Sequence, residues 1–251
     1  MHRESIGSGP ALVLLHGWGF HSGVWDGFAE ALAARHEVHL FDLPGHGRSH
    51  DMAFEGLDAV VEELANRIPE RSIVCGWSLG GLAALGLASR HAARVAGLAL
   101  LATTPCFVSR GDWPHGVHAA TLERFGEDLR ADPRATLRSF LQLNALASPS
   151  ARATVRTLAR RLDERPAPSQ QALDAGIEAL RTTDLRKEAA AIEAPTVVVY
   201  GERDRVVPPG AGAWLAATIR RARRVDLSNS AHLPFLTDRE ATLEAVKALR
   251  G

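Results

Sequence analysis

The 251-residue sequence predicts an α/β fold: a mostly parallel sheet flanked by helices, with a helical segment inserted into it. Three observations predict this. Short apolar runs of strand type alternate with Ala/Leu-rich runs of helical period, the pattern of strand–helix–strand units. That alternation stops after Pro105 and resumes at Pro195, with only helical periodicity between. One strand-to-helix junction, from Ser72 to His91, holds Gly76-Trp77-Ser78-Leu79-Gly80-Gly81. A serine at so abrupt a turn is forced into a strained backbone conformation, and its neighbours two places away must be very small.

Taken in order, Ala11 to Leu15 is an apolar strand ending in His16-Gly17-Trp18-Gly19-Phe20. Glycines on both sides of Trp18 let its backbone N–H approach a neighbouring strand end. His16 stands at a strand end before a glycine and reads as a structural hydrogen-bonder that fixes this loop. Val24 to Ala34 is a helix and Glu37 to Phe41 a strand, followed by the tight loop Asp42-Leu-Pro-Gly45-His46-Gly47-Arg48-Ser49. That loop lacks both the phosphate-loop lysine and the dinucleotide spacing, so it is no nucleotide site. Asp42 and Arg48 are expected to hold it by local hydrogen bonds and charge. Leu57 to Arg67 is an amphipathic helix, Ile73 to Cys75 the strand before the serine, Leu82 to Ser89 a helix and Val95 to Ala102 a strand.

From Cys106 to Ala191 the helical pattern breaks at Pro114, Asp132-Pro133, Ser148-Pro149 and Pro166-Ala-Pro168. We expect residues 106–191 to form a helical lid between the two parts of a core, 1–105 and 192–251. The sheet resumes at Pro195 to Tyr200. A helix from Gly210 to Arg221, a short strand from Arg224 to Leu227 and an amphipathic helix from Arg239 to Leu249 close the chain.

Composition narrows the function. Lys+Arg and Asp+Glu are both 29, so generic nucleic-acid binding has no global electrostatic support. The two cysteines, Cys75 and Cys106, read as reduced core residues with neither a disulfide framework nor metal-ligand spacing. No metal or cofactor is expected. The N-terminus has no apolar signal region and no run approaches membrane-spanning length, so a cytoplasmic protein without membrane contact, and a monomer, is expected.

The chemistry centres on Ser78. A serine hydroxyl is a poor nucleophile at neutral pH without an imidazole to take its proton and a carboxylate to orient that imidazole. Asp204, four residues after the strand ending at Tyr200, and His232, after the last short strand, both fall at strand ends, where ligands bind in parallel sheets. Their order, Ser78, Asp204, His232, is that of strand–turn–helix hydrolases. Asp226, Asp238 and Asp42 remain alternative acids; His21, His46, His91, His115 and His118 lack the placement. The helix beginning after Ser78 aims backbone N–H groups at the site where an oxyanion would form, and those of Trp18 and Leu79 are its candidate donors.

The sequence resembles the α/β-hydrolase superfamily throughout and, more narrowly, the pimeloyl-[acyl-carrier protein] methyl ester esterases of biotin synthesis. The resemblance rests on Leu14-Leu-His-Gly-Trp18-Gly, Asp42-Leu-Pro-Gly-x-Gly-Arg-Ser49, Gly76-Trp-Ser-Leu-Gly-Gly81, Pro105-Cys-Phe with Asp112-Trp-Pro114, Phe140-Leu-x-Leu143, Thr183-Asp-Leu-Arg186, Gly201-x-x-Asp204-x-x-Val-Pro208 and Ala231-His-x-Pro-Phe235. It implies a nucleophile at Ser78, an acid at Asp204, a base at His232 and oxyanion donors at Trp18 and Leu79. It also implies substrate contacts at Trp18, Ser78, Leu79, Phe140, Leu141, Gln142, Leu143, Asn144 and His232, with an acyl chain running along Trp18, Trp113, Phe140 and Leu143. The short N-terminus departs from the family and implies reduced first edge strands.

One feature of the inserted segment stands apart from the motifs. Between Pro133 and Leu162 lie six arginines and no Asp or Glu. Arg134 with Arg138, and Arg152 with Arg156 and Arg160, recur every four residues and so share a helix face. Such a face either is simply solvated or docks an acidic partner. The resemblance favours an acidic acyl carrier protein bearing the ester. The competing readings are a general short-chain carboxylesterase or thioesterase acting on small esters with the same residues, and a non-enzymatic binding scaffold.

Overall fold

A computed structural model describes residues 1–249. Seven strands, β1 (His2–Gly7), β2 (Ala11–Leu15), β3 (Glu37–Asp42), β4 (Ser72–Trp77), β5 (Val95–Leu101), β6 (Thr196–Gly201) and β7 (Ala222–Leu227), form one sheet. Its order is β1-β3-β2-β4-β5-β6-β7. Only β1 runs antiparallel, pairing His2 with Asp42 through Gly7 with Glu37. This edge strand has no counterpart in the pattern reading, because an exposed edge strand of mixed polarity carries little apolar signal.

Successive residues of the inner strands serve opposite faces, as the two-residue period requires. Val13, Leu15, Val74, Leu98 and Leu100 belong to one buried cluster; Leu12, Leu14, Ile73, Cys75 and Ala99 belong to the other. Both faces are covered, which is why these strands read as continuous apolar runs rather than alternating ones. Helices α1 (Phe28–Ala33), α2 (Leu57–Arg67) and α3 (Leu79–Arg90) precede β5. The helix expected from Val24 is shorter: Ser22–Trp25 is a 3₁₀ turn, and Gly27 at φ 78° separates it from α1.

Between β5 and β6 lie α4 (Ala119–Ala131), α5 (Pro133–Ala145), α6 (Ala151–Leu162), α7 (Gln170–Thr182) and the short α8 (Arg186–Ala189). Their boundaries follow local chemistry. Asp132 caps α5 by accepting the Ala135 N–H, with Pro133 at the first turn, and Ser169 caps α7 by accepting the Ala172 N–H. Strand-type pairing in the stretch is confined to isolated bridges: Cys106 with Asp184, Val108 with Val117 and Arg110 with Trp113. Leu122, Leu129 and Leu173 join the first core cluster, and Leu141, Ala145 and Leu158 the second. The inserted helices therefore straddle the strand ends. After β6 come α9 (Pro209–Thr218), α10 (Pro234–Thr237) and α11 (Arg239–Lys247). None of the described helices is long and apolar enough to cross a membrane.

Arginines fasten the insertion to the core. Arg161 donates to the carbonyls of Val24 and Asp26 at 2.8 and 2.7 Å. Arg165 reaches fully buried Asp42 at 3.3 Å and Glu4 at 3.1 Å. Asp42 also accepts the backbone N–H groups of Ser22 and Arg48, at 2.7 and 2.8 Å. Asp42 thus ties its own loop to the preceding 3₁₀ turn, while the Arg48 side chain pairs with Glu4.

Candidate active site

The turn between β4 and α3 is as tight as its glycines suggest. Ser78 has φ 54° and ψ −118°, a region that costs about 1–3 kcal/mol and persists only when its surroundings enforce it. Here the enforcement is close packing. A Cβ on Gly76 would lie 2.3 Å from the Gly80 carbonyl oxygen, and one on Gly80 would lie 2.3 Å from that of Leu15. The Ser78 N–H donates to Leu101, and its carbonyl accepts the Thr103 hydroxyl at 2.7 Å.

Asp204 and His232 pair with each other, next to Trp77, the residue preceding Ser78. His232 is fully buried, and its Nδ1–H donates to Asp204 Oδ2 at 2.8 Å. The other carboxylate oxygen accepts the N–H groups of Val206 and Val207 at 2.8 and 2.9 Å, so Asp204 is fixed in direction. A carboxylate on Nδ1 leaves Nε2 as the basic nitrogen, and that atom is buried without any partner. Gly201 makes the approach of the two loops feasible, since a Cβ there would lie 2.3 Å from the carbonyls of Ser230 and Ala231.

The backbone of His232 is gripped from two directions that the sequence did not reveal. Its N–H donates to the Asn144 carbonyl at 3.1 Å, and its carbonyl accepts the Trp77 indole N–H at 2.7 Å. The first contact comes from the end of α5, the second from the residue preceding Ser78. Neither had a sequence signal, because both link residues far apart in the chain.

The His16 loop lies against the serine turn: a Cβ on Gly17 would sit 3.2 Å from Ser78 Cβ. His16 acts as the expected strut. Its Nδ1 hydrogen-bonds the Gly17 carbonyl at 2.9 Å and its Nε2 accepts the Leu43 N–H at 2.9 Å. His46 buttresses the same loop, with Nδ1 to the Pro44 carbonyl at 2.8 Å and Nε2 accepting the Gly19 N–H. Burial, with the nearby His46 adding repulsion, pushes the His16 pKa down to about 3; burial lowers His46 to about 4. Both are neutral struts rather than bases. The N–H groups of Trp18 and Leu79 donate to no acceptor among the described residues, and Leu79 opens α3, whose dipole adds positive potential there.

Ser78 opens onto a cavity of about 110 Å³. Trp18, Phe125, Phe140, Leu143, Ile177, Leu180 and Val206 give it an apolar wall. Trp18 is held by its indole N–H to the Leu173 carbonyl at 3.0 Å and packs edge-on to Phe125 and Phe140. Of the expected substrate contacts, Trp18, Ser78, Phe140 and Leu143 line this space. Leu141 turns to the second core cluster, Gln142 to solvent, and buried Asn144 donates from its amide to the Phe140 carbonyl. The helical period explains this division: only one side of α5 can face the cavity. Trp113 also lies elsewhere, buried edge-on to Trp214 with its N–H on the Cys106 carbonyl. Phe125, Ile177 and Leu180 also line it without a sequence signal, since core-type residues on helices do not announce a cavity, and so does Arg205, an exposed residue of the loop after β6.

The expected docking arginines, Arg134, Arg138, Arg152, Arg156 and Arg160, are all exposed and make no ion pair among the described residues. Arg161, from the same run, instead faces the core. Cys75 and Cys106 are free and buried, and burial raises both thiol pKa values.

A sheet of this order, with a serine turn, an aspartate-held histidine and a cavity beneath inserted helices, defines a class of protein. The profile of the family described as alpha/beta hydrolase fold matches residues 10–239, and the chain belongs to that family. An esterase from Exiguobacterium antarcticum superposes with a TM-score of 0.88 over 98% of this chain and 94% of its own, at 23% identity, a likeness of fold. The chain is 42% identical over 249 residues to the pimeloyl-[acyl-carrier protein] methyl ester esterase of Nitrosomonas europaea, covering 99% of each. It is also 42% identical over 247 residues to the protein of that name from Xanthomonas campestris pv. campestris, covering 98% of this chain and 97% of the other. Within the fold, the chain belongs to this esterase family.

Proposed function

We propose that the protein is a serine carboxylesterase that hydrolyses the methyl ester of pimeloyl-[acyl-carrier protein], giving the free acid and methanol for biotin precursor synthesis in the cytoplasm. The observations that carry the chemistry are the buried imidazole of His232, fixed to Asp204 through Nδ1 and unpartnered at Nε2, and the strained Ser78 that opens on an apolar cavity. Ser78 attacks the ester carbonyl as His232 accepts its proton. The N–H groups of Trp18 and Leu79 hold the oxyanion, and Asp204 stabilises the imidazolium. His232 then protonates the departing methoxide, and water releases the acid by the same steps in reverse roles.

Residues 106–191 act in this reading as a lid over a core of 1–105 and 192–251. The apolar wall of Trp18, Phe140 and Leu143 takes the methylenes of the acyl chain, each worth about 0.8 kcal/mol when buried. The free arginines Arg134, Arg138, Arg152, Arg156 and Arg160 dock the acidic carrier to this monomer. The names of the two bacterial relatives support the carrier-bound substrate. Methanol release from pimeloyl-carrier methyl ester, against hydrolysis of free short-chain esters, tests the reading: a clear preference for the carrier-bound ester supports it, and equal or better use of short esters leaves a general esterase. Labelling of Ser78 by a fluorophosphonate excludes a non-enzymatic scaffold.

A further inference from the structure

The cavity that Ser78 opens onto contains one charge. Among the described residues Arg205 is the only ionisable side chain on its wall, which is otherwise apolar apart from the Ser78 and Thr121 hydroxyls. Its neighbours in the chain are all committed. Arg203 donates to the Ala147 carbonyl at 2.9 Å and to Asn229 at 3.0 Å, and Asp204 is saturated by His232, Val206 and Val207. Arg205 has no acidic partner among the described residues and remains exposed at the cavity edge. No carboxylate lines the cavity to neutralise it. An arginine needs no counter-ion there to fold, but it changes what the cavity prefers: a planar guanidinium at the rim of an apolar slot selects a ligand with an apolar middle and an anionic end.

We propose that Arg205 is a substrate-binding residue for a terminal carboxylate, and that the enzyme therefore also hydrolyses free monoesters of medium-chain dicarboxylic acids, with no carrier attached. The ester end lies at Ser78, the methylenes lie along Trp18, Phe140 and Leu143, and the distal carboxylate meets the Arg205 guanidinium. This rests on the esterase reading of Ser78. It goes beyond that reading, because a carrier-bound acyl chain has a thioester, not a carboxylate, at its distal end.

The test compares monomethyl pimelate with its neutral isostere, the half-amide methyl ester, by methanol release from the intact protein. The expected kcat/KM ratio of acid to amide is about ten, the scale of a partly exposed charge-assisted contact. Raising ionic strength should shrink it. Arg205→Gln should bring the ratio to about one, and Arg205→Lys should keep part of it. The ratio is internal to each variant, so any disturbance of adjacent Asp204 cancels. If neither free ester is cleaved while the carrier-bound methyl ester is, the proposal is overturned and the esterase reading stands; if the carrier-bound ester is not cleaved either, the esterase reading itself fails. If both are cleaved with a ratio near one in the parent protein, or a ratio that Arg205→Gln leaves intact, the assignment of Arg205 is overturned. Hexanoate inhibition relieved by Arg205→Gln, without discrimination between the esters, would place the arginine at the product end and overturn it as well.

Discussion

Ser78 sits in a backbone conformation that an L-residue avoids, and the strain is maintained by glycines whose missing side chains are replaced by other backbone. Ser78→Ala should keep the fold and lower kcat for methyl esters by about 10⁴-fold or more, read by methanol release. Near-parent activity would remove the serine from the mechanism. Gly80→Ala is a different lesion. The added methyl must displace the carbonyls of Leu15 and His16, both within 2.5 Å of its position. We expect a loss of at least about 2 kcal/mol in denaturant unfolding together with loss of activity, whereas Ser78→Ala should leave the unfolding midpoint nearly unchanged.

At the scale of elements, the inserted helices carry two kinds of arginine that the sequence does not distinguish. Arg161 and Arg165 hold the end of α6 and the loop after it to the core; Arg152 and Arg156 on the same stretch face solvent. Arg165→Ala removes the cation beside fully buried Asp42 and should cost about 3 kcal/mol in chemical denaturation. Arg152→Glu with Arg156→Glu should leave both stability and cleavage of small esters near parent values, since exposed unpaired charges contribute little to folding. The same pair should lower kcat/KM for the carrier-bound ester about tenfold or more, with the effect fading as salt rises. Equal losses on both substrates would refute carrier docking through this face.

For the whole molecule, the buried histidines make folding sensitive to acid. His16 and His46 are neutral in the fold down to about pH 3 and 4, whereas an unfolded histidine takes a proton near 6.5. Between those limits the unfolded chain binds more protons, so stability is complete above about pH 6.5 and falls as pH drops toward 4. His21 and His39, whose pKa values burial also lowers, act in the same direction. Urea midpoints measured from pH 7.5 to 4.5 should therefore decline steadily, by an amount on the order of several kcal/mol in all. A flat profile would show that the struts are protonated in the fold.

Much of this architecture is legible in the chain itself. Apolar runs separated by helical stretches specify five of the seven strands, because strands buried on both faces must be apolar throughout; the polar, largely exposed edge strand β7 is legible only from its place in the alternation. The Gly76 to Gly81 turn is legible because its geometry tolerates almost nothing but glycine around the serine. Proline breaks between Asp132 and Pro168 delimit the inserted helices through local capping. The edge strand β1 escaped notice, as did the short helix α10, since neither carries a periodic signal.

The sequence by itself determined the class of fold, the serine turn and the positions of Ser78, Asp204 and His232 after successive strands, because each depends on local backbone restrictions or on hydrophobic period. Only the tertiary structure decided which side of α5 faces the cavity, which arginines are tethers and which are free, and that Asn144 and Trp77 grip His232. Those outcomes depend on contacts between residues up to 155 positions apart. A chain's local pattern fixes which residues are buried; it does not fix which distant carbonyl a buried donor will find.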